Sequence, residues 1–178
     1  MRIISGKFKG REFRSPGSHK THPMSDKVRG ALFNVLGDID GLSFLDAFAG
    51  SGALAFEAAS RGAASIIAID DDRAAHNVLD QNVKDLRLQA CVHPVRANTG
   101  GWSIHNMEKK FDVLLLDPPY NDPQVNLLGK LIKRHLSKGG LAVLSSPGKE
   151  NYPEFDNTEV AAIKKYGDIQ LVFYRKTK

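Results

Sequence analysis

The chain has 178 residues, of which 42% are hydrophobic and 25% charged, and a formal net charge of +5. That composition excludes a disordered, collagenous or coiled-coil chain and suits one globular domain with a real core. The absence of any apolar run near the roughly 20 residues of a membrane helix argues against a membrane protein, and a single cysteine, Cys91, excludes an internal disulfide framework or a cysteine-based zinc cluster.

The charge is unevenly spread. Residues 1–30 carry +6 and residues 163–178 carry +4, whereas residues 31–162 carry −5. A mildly acidic body with basic ends points to a polyanionic partner. The N-terminus is charged but has no apolar h-region, so it does not read as a secretory signal, and a cytoplasmic location is expected.

Arg2–Ser5 and Phe8–Phe13 predict a short hairpin punctuated by Gly6 and Gly10. Residues 15–23 predict a loop. Ser25 then caps a helix, with Asp26 in its first turn, apolar residues at Val28, Leu32, Val35 and Leu36, and Gly37 at its end. The division expected is a basic segment, 1–23, ahead of a main domain, 24–178.

After residue 41 the pattern alternates. Strands are predicted at Ser43–Phe48, Ser65–Asp70, Cys91–Arg96, Asp112–Asp117 and Gly140–Ser145. Helices fit between them at about 53–61, 72–86, 102–109 and 123–137. Continuous apolar runs such as Ser65-Ile-Ile-Ala-Ile69 are what strands buried on both faces look like, so the fold expected is α/β with a doubly wound parallel sheet. Glu159–Tyr166 and Ile169–Arg175, joined at Gly167-Asp168, predict a closing antiparallel hairpin.

Between the first strand and its helix runs Asp46-Ala-Phe-Ala49-Gly50-Ser51-Gly52-Ala-Leu-Ala55. Gly50 and Gly52 allow torsions a Cβ would forbid and let a ligand come close. Alone, this is a G-x-G-x-x-A nucleotide fingerprint or a plain strand-to-helix turn. Asp70 closes the second strand 18 residues after Gly52, the reach of an acid that binds ribose hydroxyls, and it suits NAD or S-adenosylmethionine equally. Asp46 favours the latter. It sits where a dinucleotide would place its pyrophosphate, whereas an ammonium and a sulfonium would be attracted. Asp71 and Asp72 read as solvated helix-start residues, Asp71 lying beside the ribose acid. Asn98, past the third strand, is a candidate for the adenine edge or a turn residue.

The fourth strand runs directly into Asp117-Pro118-Pro119-Tyr120. This turn suits methylation of a planar exocyclic amine, whose lone pair is delocalised. If each N–H donates to a fixed acceptor, the nitrogen can pyramidalise. Asp117 offers one acceptor and the Pro118 carbonyl another, in a turn stiffened by proline. Tyr120 offers a ring for base stacking. Preorganised acceptors suffice, with no covalent intermediate and no metal. None of the histidines forms a metal-binding pair; His19, His22, His93 and His135 read as surface or turn residues, Cys91 as a buried strand residue, and Trp102 as packed.

Taken together, Arg2-Ile-Ile-Ser-Gly6-Lys-Phe-Lys-Gly10-Arg, His22-Pro-Met-Ser-Asp26-Lys-Val-Arg29, Leu45-Asp-Ala-Phe-Ala-Gly50-Ser-Gly52 and Asp117-Pro-Pro-Tyr120 resemble the RsmD family, bacterial small-subunit rRNA guanine-N2 methyltransferases. The resemblance implies a Rossmann-like class I methyltransferase fold with a seven-stranded, mostly parallel sheet and S-adenosylmethionine as cofactor. It implies that Asp46, Ala49, Gly50, Ser51, Gly52, Asp70, Asp71 and Asn98 surround the cofactor. Ser25, Asp26 and Arg29 would lie near its methionine end. Asp117, Pro118, Pro119 and Tyr120 would meet the target amine. Arg2, Lys7, Lys9, Arg11, Arg14, Lys20 and His22 would contact RNA. The partner implied is small-subunit rRNA or a ribosomal assembly intermediate; a monomer is expected, since the sequence shows no heptad and no leftover apolar stripe. Family members usually read Arg-Pro-Thr where this chain has His22-Pro23-Met24. Competing readings are an amino-methyltransferase on DNA adenine or cytosine or on another RNA, an NAD-dependent oxidoreductase, and a binding module that has lost catalysis. The oxidoreductase has no use for the Asp117 turn, and the DNA enzyme lacks room for a recognition domain.

Overall fold

The computed structural model describes residues 1–15, 24–149 and 151–178. Lys20, His22 and the preceding part of the predicted loop lie outside them. The chain divides into two compact units, Met1–Thr99 and Gly100–Lys178. The sequence expectation set a boundary after residue 23. Residues 1–15 pack inside the first unit.

In the first unit, α1 (Asp26–Leu36) begins where the Ser25 hydroxyl accepts the Val28 amide at 3.3 Å and stops at Gly37, with φ +76°. Three parallel strands follow, β1 (Ser43–Asp46), β2 (Ser65–Asp70) and β3 (Val92–Arg96), in the spatial order β3-β2-β1. Phe44, Leu45, Ile66, Ala68 and Ile69 are buried, as continuous apolar runs require. Between the strands lie α2 (Ala53–Ser60) and α3 (Arg73–Asp85), the latter capped by the Asp72 carboxylate on the Ala75 amide at 2.8 Å.

The N-terminal segment is less regular than expected. Its ladder consists of one bridge, Arg2 to Glu12, flanked by Ile3 N–H to Arg11 C=O at 2.9 Å and Phe13 N–H to Met1 C=O at 2.9 Å. What holds it is docking onto α2. Ile3 and Phe13 are buried, Phe13 meets Phe56 edge-on at 5.1 Å, and the Glu57 carboxylate accepts the Ile4 and Ser5 amides at 2.8 and 3.1 Å. A Cβ on Gly6 would lie 2.0 Å from the Ser60 carbonyl oxygen, so only glycine allows this approach. Asn82 of α3 clamps the other side, accepting from the Arg14 amide and donating to the Arg14 and Ser51 carbonyls.

The second unit holds most of α4 (Thr99–His105), then β4 (Phe111–Leu116), α5 (Val125–His135), β5 (Leu136–Pro147), β6 (Thr158–Tyr166) and β7 (Ile169–Lys176). Its strands lie in the order β4-β5-β7-β6, with β4 and β5 parallel and β5, β7 and β6 antiparallel. The closing hairpin turns at Gly167-Asp168 as the sequence predicts. β5 starts earlier than predicted. Leu136 ends α5 with extended torsions and pairs with Phe111, so helix passes into strand without a loop. α4 begins and ends earlier than 102–109, its last turn tied by Asn106 Nδ2 donating to the Trp102 carbonyl at 2.9 Å. His135 is no surface residue. It is fully buried against Trp102, its ring nitrogens 2.8 Å from Ser103 Oγ and 2.9 Å from the Lys109 carbonyl, and burial lowers its basicity. Cys91 precedes β3, in a half-buried turn where its amide donates to the Leu88 carbonyl, and burial raises its thiol. Among the described residues no helix is long and apolar enough to cross a membrane, and no cluster of side chains could hold a metal ion.

Candidate active site

The first unit carries the glycine loop. β1 delivers Asp46 to its carboxyl end, where it is 1% exposed. The loop is then pinned to β2 at two points. The Ala49 amide donates to the Ile69 carbonyl at 2.8 Å, and the Gly50 amide donates to Asp70 Oδ2 at 2.8 Å. Asp70 Oδ1 takes the Asp72 amide at 2.9 Å. Burial pushes the Asp70 carboxyl above the usual range, helped by the charges of Asp71 and Asp72, while the two amides hold it down.

Gly52 has φ +93°, and a Cβ there would lie 2.4 Å from the Phe56 ring and 2.6 Å from Leu79. The second glycine is therefore a packing requirement. A Cβ on Gly50 would meet nothing within 4 Å, so this backbone faces open space, as a cradle for a ligand must. Asn98 is exposed just past β3. The next residue, Thr99, is buried and donates its hydroxyl to the Ala47 carbonyl at 2.7 Å, joining the end of β3 to the glycine loop. Thr99 was not singled out from sequence, where the helix was expected to begin only at about residue 102.

The other predicted cofactor residues have the following surroundings in the protein. Ser51 is buried, its hydroxyl 3.6 Å from the Met1 sulfur. Asp71 is exposed. Ser25 caps α1, and Asp26 lies 3.2 Å from Arg2 and 3.0 Å from Arg29. Arg29 is the most deeply buried of these residues. It has no exposed surface, and it donates to the carbonyls of Met24 and Arg2 and to Asp26, with its Nε 3.9 Å from the equally buried Glu57. It knits α1, the N-terminal segment and α2 together.

The basic residues of the N-terminal segment stand on the surface. Lys7 and Arg11 lie over the half-buried Phe8 ring at 5.7 and 4.8 Å, and Arg11 also donates to the Leu86 carbonyl. Lys9 is exposed, Arg2 pairs with Asp26, and Arg14 pairs with Asp85 at 3.4 Å.

The second unit carries the proline turn. β4 ends at Leu116 and hands Asp117 to a half-buried position, followed by buried Pro118, exposed Pro119 and Tyr120, which is 47% exposed. The Asp122 amide donates to the Pro119 carbonyl at 2.9 Å and closes the turn. Ser145 of β5 is 2% exposed and meets both polar groups of the turn. It is hydrogen-bonded to Asp117, and its Oγ lies 3.5 Å from the Tyr120 hydroxyl. Burial pushes the Asp117 carboxyl up to about 6, against the Ser145 bond that lowers it. Burial raises the Tyr120 phenol as well, as does the Asp117 charge, against the same Ser145 bond. The result is a carboxylate poised near neutrality beside an accessible ring, suited to accepting N–H donors from a flat, stacked substrate.

A family model described as Conserved hypothetical protein 95 matches residues 1–175. The chain belongs to this family, the RsmD family. YlbH of Bacillus subtilis is 34% identical over 99% of either chain. Ribosomal RNA small subunit methyltransferase D of Buchnera aphidicola from Acyrthosiphon pisum is 30% identical over 97% of this chain and 91% of its own. Among solved structures, yhhF from Escherichia coli superposes with a TM-score of 0.85 at 30% identity, covering 99% of this chain and 98% of that one. This RsmD-family chain therefore has the seven-stranded α/β methyltransferase fold that its motifs implied, with the antiparallel C-terminal strands in place.

Proposed function

We propose that this RsmD-family chain transfers a methyl group from S-adenosylmethionine to the exocyclic N2 amine of a guanine in small-subunit ribosomal RNA. The observation that carries the reading is the Asp117-Pro118-Pro119-Tyr120 turn, with its half-buried carboxyl pushed up to about 6 beside an exposed ring. The name of the Buchnera aphidicola relative supports the choice of rRNA. The choice of guanine N2 rests on the resemblance to the family.

The residues of the glycine loop fit the cofactor. The open face of Gly50 admits a ligand backbone, the Asp70 carboxylate suits ribose hydroxyls, and the Asp46 carboxylate suits a cationic ammonium or sulfonium. Asn98 is exposed at the position that would face the adenine edge. When bound, S-adenosylmethionine supplies an electrophilic methyl carbon on a good leaving group.

The acceptor is the work of the second unit. Asp117 takes a hydrogen bond from one N–H of the amine and the Pro118 carbonyl takes the other, turning the nitrogen lone pair out of conjugation. Tyr120 stacks on the base, worth about 1–3 kcal/mol, and holds it out of its own helix. The methylated nitrogen is briefly cationic and must shed a proton. Asp117, poised at about 6, is ionised at neutral pH and takes it. Lys7, Lys9 and Arg11 hold the RNA backbone, with Arg2 and Arg14 released to it from their ion pairs.

The test is transfer of labelled methyl groups from S-adenosylmethionine to unmodified small ribosomal subunits, naked small-subunit rRNA and duplex DNA, side by side. Label recovered as N2-methylguanosine from rRNA is the expected result. Label on DNA alone would keep the turn's chemistry and overturn the substrate.

A further inference from the structure

We propose that Ser145 is a positioning residue for methyl transfer, its buried hydroxyl holding the Asp117 carboxylate and the Tyr120 phenol in one fixed relation. The inference rests on the function proposed above, and its evidence lies wholly within the second unit.

The sheet places Ser145 there. β4 and β5 run parallel, and their last recorded pair is Leu116 with Leu144. β4 stops at that point because Asp117 is followed by two prolines, which cannot continue a ladder. β5 goes on to Pro147, since it is still paired with β7, where Ser145 faces Leu171. Ser145 is thus the first residue of β5 past the end of β4, level with Asp117. Its backbone is held by the β7 ladder, so its hydroxyl is a fixed point beside a turn that has lost its own strand partner.

The hydrogen count then sets the directions. An ionised carboxylate only accepts, so the single Ser145 proton goes to Asp117. Tyr120 is left as the donor across the 3.5 Å to Ser145 Oγ, a long contact of the kind that tightens when a substrate is seated. The chain Tyr120 to Ser145 to Asp117 leaves the second carboxylate oxygen of Asp117 for the substrate amine. It also turns the Tyr120 ring to one orientation while nearly half of that residue stays exposed for stacking. The Asp117 charge in turn raises the Tyr120 phenol. No sequence motif marks Ser145, which lies 25 residues beyond Tyr120.

The experiment compares Ser145→Ala and Ser145→Thr with the parent chain in two measurements. The first is the pH profile of kcat for methyl transfer to small-subunit RNA, with KM for S-adenosylmethionine. Ser145→Ala is expected to lower kcat about tenfold, the scale of one hydrogen bond to a charged group. It should also move the acidic limb to higher pH, because a bond that favoured the ionised Asp117 is gone, and leave the cofactor KM unchanged. Ser145→Thr, which keeps the hydroxyl, should restore both. The second measurement, carbon NMR titration of the Asp117 carboxyl, needs no substrate. It should show a higher titration midpoint in Ser145→Ala than in the parent. An Ala variant with the parent's acidic limb and midpoint overturns the inference, as does a Thr variant as impaired as Ala. If the parent chain methylates no RNA, the function falls, and the carboxyl titration still decides whether Ser145 holds Asp117.

Discussion

The Gly50 amide and the Asp70 carboxylate meet at 2.8 Å, so the acid that ends β2 is also the clasp of the loop that leaves β1. Asp70→Ala should therefore do two things at once. It removes the acid proposed to bind ribose hydroxyls and frees the loop backbone. Isothermal titration should find S-adenosylmethionine binding weakened by at least about tenfold, one or two lost hydrogen bonds. Asp70→Asn keeps an oxygen for one of the two amides and should lose less. Equal binding by all three chains would remove Asp70 from the cofactor site.

Asp117→Asn should separate chemistry from stability. The folded-state carboxyl titrates near 6, above its ordinary value of 3.8, so the folded state holds a proton that the unfolded state has released. Stability from this group is present at low pH and is lost as pH rises from about 4 through 6. At pH 8 the ionised carboxylate is a net cost, and Asp117→Asn should raise stability, on the order of 1–3 kcal/mol. Below about pH 4 both chains are neutral here and the gain should vanish. Methyl transfer should fall by about two orders of magnitude, with cofactor binding unchanged. Denaturant unfolding at the two pH values, beside a transfer assay, checks both. The same titration predicts that the parent's transfer rate falls as pH drops through about 6.

Arg29→Ala should act on folding rather than on ligands. It would leave Glu57 buried without that cation and the carbonyls of Arg2 and Met24 without their donor. Breaking a buried charge network costs about 3–5 kcal/mol, enough to unfold a marginal domain. Urea unfolding of Arg29→Ala and Arg29→Lys should show this loss, largest for Ala. A folded Arg29→Ala chain with weakened cofactor binding and normal stability would return Arg29 to the ligand site.

Charge reversal should sort the N-terminal bases. Lys9 and Arg11 are exposed, whereas Arg14 is paired with Asp85 and Arg2 with Asp26. Lys9→Glu and Arg11→Glu should each weaken RNA binding and flatten its logarithmic salt dependence by about one phosphate contact. Arg14→Glu should do less for binding. RNA binding measured across a salt series reads both, and unchanged slopes in the Lys9 and Arg11 variants would take this segment out of the interface.

The glycine loop, the acid that ends β2, the proline turn and the closing hairpin were all readable in the sequence. Each is a run of neighbouring residues whose torsions and spacing carry the signal. Gly52 must be glycine for its φ of +93°, and Asp117 to Tyr120 form a rigid turn wherever they fall. The alternation of apolar runs with helical spacing was enough for an α/β chain, because burial on both faces of a parallel strand forces that composition. Burial of polar groups was not readable. The family resemblance places Arg29 and Asp26 near the cofactor, and His135 reads as a surface or turn residue. Arg29 and His135 are sealed by residues far along the chain, Glu57 for the first and Trp102 and Ser103 for the second. Ser145 stands level with Asp117 only because β5 outruns β4 by a few residues, a matter of register between strands. Local chemistry is written in consecutive residues. Which charges are paired, which protons are shifted and which hydroxyl stands beside Asp117 depend on contacts across the fold, and so on tertiary packing alone.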